Sequence, residues 1–492
     1  MDYAEKPQFA EKNKILILGA GVMQGPALKI AREMGLETIV ADADAEAPSI
    51  LFADRFVKID LKDKEGIEDL ARSLMKDGGL GGIMTAGTDF SATVAWTAEK
   101  LGLPGISYEC ALNASDKERM RKCFKAAGLP SPEFIVVNSP PTESFVLPFP
   151  LPVVVKPVDN MGSRGCRRVD SFAELEAAVT GALGFSRSGR VIIEEFMEGP
   201  EFSVDALVYR GEISICGIAD RHIFFPPYFI EMGHTMPSSA EPETVRALLE
   251  TFCLGIKALG ITNGAAKGDI KLTGKGPMIG EIAARLSGGY MSGWTYPYSS
   301  GVLPTRGAVR IALGEKPDGL EPKWNWTSAE RAFISIPGKV RSIEGIEKAR
   351  AMPCVKDVFT LVKPGSNVKF PENNVTKCGN VISAAPDRQK AIEAAESAAK
   401  SILIRLEAPN EATEAFLAGD CHQIALSEMK TLYVGEGDCH LEAVRTLTGI
   451  EQPILEKPPF QSRLFWQALL RGGYQGAVYY IDSLKAHTKV QS

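Results

Sequence analysis

Asp269 and Glu281 stand on two short segments, Gly268-Asp269-Ile270-Lys271-Leu272 and Gly280-Glu281-Ile282-Ala283-Ala284-Arg285-Leu286-Ser287-Gly288-Gly289. Between them, Thr273-Gly274-Lys275-Gly276-Pro277 supplies the turn residues of a hairpin. If the segments pair across that loop, both carboxylates can point the same way. Two hard oxygen ligands facing one spot suit Mg²⁺ bridging nucleotide phosphates. A surface hairpin with scattered charge is the competing reading.

Other residue sets carry possible chemistry. Val153-Val154-Val155-Lys156-Pro157 is followed by Asp159-Asn160-Met161-Gly162-Ser163-Arg164-Gly165. A lysine at a strand end, then a glycine loop, can fold over phosphates, with backbone N–H groups as donors; a turn with an exposed arginine is the alternative. In Val191-Ile192-Ile193-Glu194-Glu195-Phe196-Met197-Glu198-Gly199-Pro200-Glu201 a strand leads into a linker, then a second strand starts at Glu201. Such a linker can offer backbone groups to an adenine edge and Glu201 to ribose hydroxyls; an acidic, solvated turn would look the same. Gly233-His234 is either a functional imidazole or a loop histidine with a structural hydrogen bond. The aromatic run Phe224-Phe225-Pro226-Pro227-Tyr228, with Tyr290, Trp294 and Tyr296, lines either a pocket or the core. Gly19-x-Gly21-x-x-x-Gly25 departs from the dinucleotide fingerprint in its last spacing, so a packing turn competes with NAD binding there. Cys421-His422 and Cys439-His440 match no standard zinc spacing.

These residues need elements to hold them. Residues 14–113 alternate apolar strands with periodic helices: strands at 14–18, 37–41, 55–59 and 82–85, helices at 26–35, 64–75 and 91–101. This pattern predicts a doubly wound α/β domain. Ser115-Asp116-Lys117-Glu118 reads as a capping box with Ser115 as the cap of a helix to Ala127. Five prolines between Ser139 and Pro152 leave no room for a helix. Past residue 322, strands are expected at 331–336, 355–362 and 380–384, with a long helix over 388–405. Helices are expected at 411–417 and 460–470.

Taken in order, these parts resemble the ATP-grasp superfamily, which includes carbamoyl phosphate synthetase large subunits, biotin carboxylase and carboxylate–amine ligases. The order is strand-Lys-Pro, glycine loop, Ile-Glu-Glu-Phe linker, Glu-x-Ser-Val-Asp, Asp-x-Lys-x-Thr hairpin and Glu-Ile-x-x-Arg. The resemblance covers residues 14 to about 405. Pro337-Gly338-Lys339-Val340 and Pro364-Gly365-Ser366-Asn367-Val368 are similar to the C-terminal domain of the L-amino-acid ligases. It implies an α/β fold in four parts: a pre-ATP-grasp domain over 1–113, an ATP-grasp domain over 114–322 with a lid near 131–195, an α+β domain over 323–407, and an appendage over 408–492.

The resemblance also implies roles. Lys117 and Lys156 would contact the ATP phosphates under a lid loop of Ser163, Arg164 and Gly165. Glu194, Glu195, Phe196 and Met197 would surround the adenine, and Glu201 the ribose. Asp269 and Glu281 would bind Mg²⁺, with Mn²⁺ as a substitute. Arg285, His234 and Lys267 would serve catalysis, and Arg285, Ser287, Gly288 and Gly289 the substrate carboxylate. The implied activity is ATP-dependent joining of a carboxylate, such as an amino acid, to an amine through an acyl phosphate, by a homodimer. Carbamoyl phosphate synthetase-like or glycinamide ribonucleotide-type ligation, or nucleotide binding without catalysis, are the other readings. Family members usually have asparagine where this chain has Ala283, which puts a second metal in doubt.

Composition narrows the field. With 492 residues the chain exceeds one core. A net charge of −6 with no basic block argues against nucleic acid as a partner. Nine cysteines without a short-spacing framework fit a reducing compartment. No basic, apolar leader begins the chain and no apolar run approaches a membrane span, so a cytoplasmic location is expected.

Overall fold

The computed structural model describes residues 14–142, 144–419 and 463–490. They form two units. The first holds residues 14–161, 169–221 and 235–328; the second holds 162–168, 222–234 and 329 onward.

The first unit opens with β1 (Lys14–Leu18), α1 (Gly25–Glu33), β2 (Glu37–Asp42), β3 (Arg55–Lys58), α2 (Lys64–Lys76), β4 (Leu80–Thr85) and α3 (Ser91–Leu101). The strands run parallel in the order β3-β2-β1-β4. Ile15 to Leu18 are wholly buried, as an unbroken apolar run in a covered parallel sheet should be. The glycine turn after β1 packs against β2, with Gly19 N donating to Ala41 O at 2.8 Å. Asp42 Oδ2 accepts from Ala20 N of that turn at 2.7 Å, while its Oδ1 accepts from Asp44 N of its own loop at 2.9 Å.

Next come α4 (Tyr108–Asn113) and α5 (Lys117–Ala126). The expected cap at Ser115 is corrected here. Asp116 has the extended backbone of a cap and accepts from Arg119 N at 3.1 Å. Ser115 Oγ instead donates to Ala111 O at 2.7 Å, closing α4, a short helix that periodicity did not announce.

The central part contributes β5 (Phe134–Val137), β6 (Val153–Pro157), β7 (Arg167–Val169), α6 (Phe172–Leu183), β8 (Val191–Glu195), β9 (Glu201–Tyr209), β10 (Glu212–Phe224), β11 (Ile230–Met236), α7 (Pro242–Leu259), β12 (Asn263–Thr273), β13 (Gly276–Ala283), α8 (Tyr296–Ser300) and α9 (Pro304–Ala312). In the first unit β13, β12, β9 and β10 lie side by side, all antiparallel. Strict alternation in Glu201-Phe202-Ser203-Val204-Asp205 splits this sheet into two faces. Phe202, Val204, Ile270 and Ile282 turn inward against Phe124 of α5 and Leu248, Phe252 and Ile256 of α7. Burying each such side chain contributes about 1.5–3 kcal/mol. The opposite face keeps the polar residues.

The second unit contains β14 (Thr327–Phe333), β15 (Gly338–Glu344), α10 (Ile346–Arg350), β16 (Val355–Thr360), β17 (Asn367–Val368), β18 (Gly379–Ala385), α11 (Arg388–Lys400), β19 (Leu403–Leu406) and α12 (Glu411–Ala418), followed by a helical segment over Arg463–Val490 that is broken by a kink at Gly473. Here β11, β14, β18 and β16 are neighbours, and β17, β15 and β19 form a small sheet. Two expectations are corrected. The long helix stops at Lys400, because Leu403, Ile404 and Leu406 are buried by pairing with β15. β14 starts at Thr327 and is buried along its whole length; Glu330 and Arg331 are enclosed by ion-pair and hydrogen-bond partners. Residues 460–462 and the Cys421-His422 and Cys439-His440 pairs lie outside the described residues. Among the described residues, no helix is long and apolar enough to cross a membrane.

Candidate active site

The polar face of the β13-β12-β9-β10 sheet is organised by register. Asp269 pairs directly with Glu281 and with Ser203; one step along, Lys267 pairs with Ala283 and Asp205. Cross-strand partners share a face, so both carboxylates point to the same side. The Asp269/Ile270 irregularity inserts Gly280 as an extra residue. That bulge puts Glu281 on the polar face while Ile279 still faces the core.

Cations surround this pair. Lys117 Nζ lies 3.6 Å from Glu281 Oε2 and donates to Asn160 O at 2.7 Å. Lys267 pairs with Asp269 Oδ2, and Arg221 lies 2.8 Å from Asp269 Oδ1 while also pairing with Glu201. Burial works to raise the Glu281 pKa, but Lys117, Lys156, Lys267 and Arg285 outweigh it and hold it at about 2. Glu281 therefore stays ionised at any physiological pH, with a third of its side chain open.

Lys156 Nζ lies 2.6 Å from Glu194 Oε2, and Arg121 Nε donates to Glu194 Oε1 at 2.8 Å. Burial again opposes ionisation of Glu194, and Arg121 and Lys156 overcome it to lower the pKa. Arg121 also donates to Gly280 O at 2.6 Å, tying β8 to β13. In the linker, Lys271 Nζ donates to Met197 O at 3.1 Å and sits over the Phe196 ring. Glu195 pairs with Lys275 at 3.1 Å. Gly199 has φ +135°, and a Cβ there would lie 2.0 Å from Leu272 O, so the linker needs glycine to lie against β12.

Beyond β13, Arg285 donates to Leu286 O at 3.0 Å. Gly87 (φ +63°) packs against Gly288, and a Cβ on it would come within 2.8 Å of the Met23 Cβ. Ser287 and Ser292 both donate to Asp205, which burial pushes up to about 6 against those hydrogen bonds. The folded pKa lies above the ordinary 3.8, so the folded chain holds this proton longer and stability falls as pH rises between those values. Asp205→Asn removes that dependence. The variant's Tm minus that of the wild type is expected to climb from pH 4 to pH 6 and flatten above; a constant difference would contradict it.

All these residues belong to the first unit. The second unit holds Ser163, Arg164, Gly165 and His234. There Ser163 (φ +59°) donates to Phe229 O at 2.8 Å, and Asn374 N donates to Gly162 O at 2.9 Å. His234 is a strand residue, fully enclosed, with Nδ1 3.3 Å from Glu330 Oε2. Sequence reasoning missed Arg121, Arg221 and Asp89. Asp89 lies just past the C-terminal end of β4, the edge where ligands of open α/β sheets bind. Burial raises its pKa despite Lys117, Arg285 and Arg187.

With that geometry in view, three families match consecutive stretches of the chain. They are the ATP-grasp N-terminal domain over residues 28–105, the ATP-grasp domain over 149–293, and the L-amino acid ligase C-terminal domain 2 over 332–407. The chain belongs to the ATP-grasp superfamily. Proteins named as a synthase and a ligase are among those it is similar to. The ATP-grasp fold is shared with the crystal structure of an L-amino acid ligase from Bacillus licheniformis, at a TM-score of 0.70 and 22% identity, over 81% of this chain and 100% of that one. Human carnosine synthase 1 is 26% identical over 62% of this chain, which spans only 40% of that protein. A D-alanine–D-alanine ligase from Aromatoleum aromaticum is 32% identical over 37% of this chain and 60% of its own length. An uncharacterised Sinorhizobium fredii protein is 26% identical over 76% of this chain and 79% of its own length.

Proposed function

We propose that this chain joins a small carboxylate, of the amino-acid type, to an amine, consuming ATP through an acyl phosphate and releasing ADP and phosphate. The observation that carries the reading is the in-register Asp269–Glu281 pair inside a ring of cations. A carboxylate attacking a γ-phosphate brings two anions together, and positioned cations must offset the repulsion. Lys117 and Lys156 hold the phosphates, the 194–197 strand end and linker the adenine, and Glu201 the ribose. Arg285 and Lys267 steady the transferring phosphoryl group. An acyl phosphate hydrolyses in water, so the reaction needs a site closed to solvent until the amine attacks. His234, enclosed beside Glu330, acts by orienting its strand.

The donor set fits one hard dication. Two carboxylates face one spot, Ala283 offers no further oxygen, and among the described residues no three-ligand cluster occurs. Asp269 and Glu281 would hold Mg²⁺, which would neutralise phosphate charge. Ala283→Asn is expected to tighten Mg²⁺ binding severalfold by adding an oxygen opposite Lys267; unchanged affinity in a metal titration would rule out a second-ion role for that position.

The test is ADP release from Mg-ATP with carboxylates and amines supplied singly and in pairs, amino acids first, then bicarbonate. Turnover that needs both partners supports the ligase. ATP binding with no turnover for any pair would overturn it in favour of a binding protein.

A further inference from the structure

Asp205 is the most enclosed carboxylate on the polar face of the sheet, and no role assigned so far uses it. It is 2% exposed. Its Oδ2 accepts from Ser287 Oγ at 2.5 Å and from Ser292 Oγ at 3.0 Å, and the two hydroxyls lie 2.7 Å apart. Its Oδ1 is buried without a hydrogen-bond partner. Leaving a carboxylate oxygen dry and unpaired costs free energy, so the arrangement persists because something else holds it.

The two serines bracket Gly288-Gly289-Tyr290-Met291. Tyr290 has φ +67°, an unfavourable backbone for a bulky residue. Met291 N closes back onto Gly288 O at 3.2 Å. Thr305 Oγ1 donates to Ser292 O at 3.2 Å, and Gly87 N donates to Leu286 O at 3.2 Å. A strained turn is thus pinned at entry and exit, and one carboxylate oxygen is common to both pins.

We propose that Asp205 is a positioning residue that clamps the 287–292 turn, so that the Gly288 and Gly289 amides face the substrate carboxylate. It acts through the serines and touches no substrate. The substrate part of this inference rests on the ligase reading; the clamp itself does not.

Two measurements test it. Hydrogen exchange reads the clamp without substrate. Ser292→Ala removes one hydroxyl and is expected to speed exchange across residues 288–291 by about tenfold, the worth of one hydrogen bond to a charged group. Exchange there equal to wild type would overturn the clamp. Steady-state kinetics read its purpose. Asp205→Ala and Ser292→Ala are expected to raise KM for the carboxylate about tenfold or more, with KM for ATP within about twofold. Asp205→Asn keeps an acceptor oxygen and should recover most of the loss. A rise in both KM values together, or in neither, would overturn the positioning role. If Asp205→Ala does not fold, Ser292→Ala carries both readouts. Wild-type ADP release that needs no carboxylate would sink the ligase reading, while the exchange result would still judge the clamp.

Discussion

Glu281→Ala is expected to lower Mg²⁺-dependent ADP release by about a thousandfold while leaving the fold intact. The size follows from what one preorganised charge in a phosphoryl-transfer site contributes. Glu281 is on the open side of the sheet, a third exposed, so removing it leaves no core cavity. It does leave Lys117, Lys156, Lys267 and Arg285 with less countercharge. ATP binding measured without metal should therefore hold or tighten. Activity loss with metal-free ATP affinity retained is the expected signature. An active variant would refute the metal assignment, and lost ATP affinity would point to a fold defect.

The second large effect concerns stability. Arg121→Met is expected to destabilise the first unit by about 3–5 kcal/mol, the usual cost of breaking a buried ion pair from one side. Arg121 is wholly enclosed, as is its partner Glu194, and its guanidinium also serves the carbonyls of Ile279 and Gly280. Methionine fills much of the volume but leaves Glu194 with Lys156 as its one remaining cation among the described ion pairs. The Tm should fall by roughly 10 °C. A fall under about 2 °C in a thermal melt would show that Lys156 alone keeps Glu194 compensated.

Both predictions draw on contacts of different origin. Glu281 was legible because a hairpin keeps its partner close in sequence: turn residues set the loop, and period-two alternation sets the face. The same local rule gave the start of β9 at Glu201 and the strands of the first sheet, where apolar runs must be covered on both sides. Local rules failed where two solutions were locally acceptable. Ser115 and Asp116 both suit a helix cap, and only the end of α4 engaged the serine. Residues 388–405 read as one helix, and only β15 drew Leu403–Leu406 into a strand.

The sequence by itself determined the order of elements, the hairpin that aligns Asp269 with Glu281, and the likeness to ATP-grasp ligases, because each depends on neighbours along the chain. Tertiary structure alone decided that Arg121 joins Glu194 to Gly280, that Arg221 joins Glu201 to Asp269, and that Asp205 receives Ser287 and Ser292. Those residues lie far apart in sequence. Their pairing is enforced by the cost of burying a charge alone, a term that exists only once the surrounding strands have excluded water.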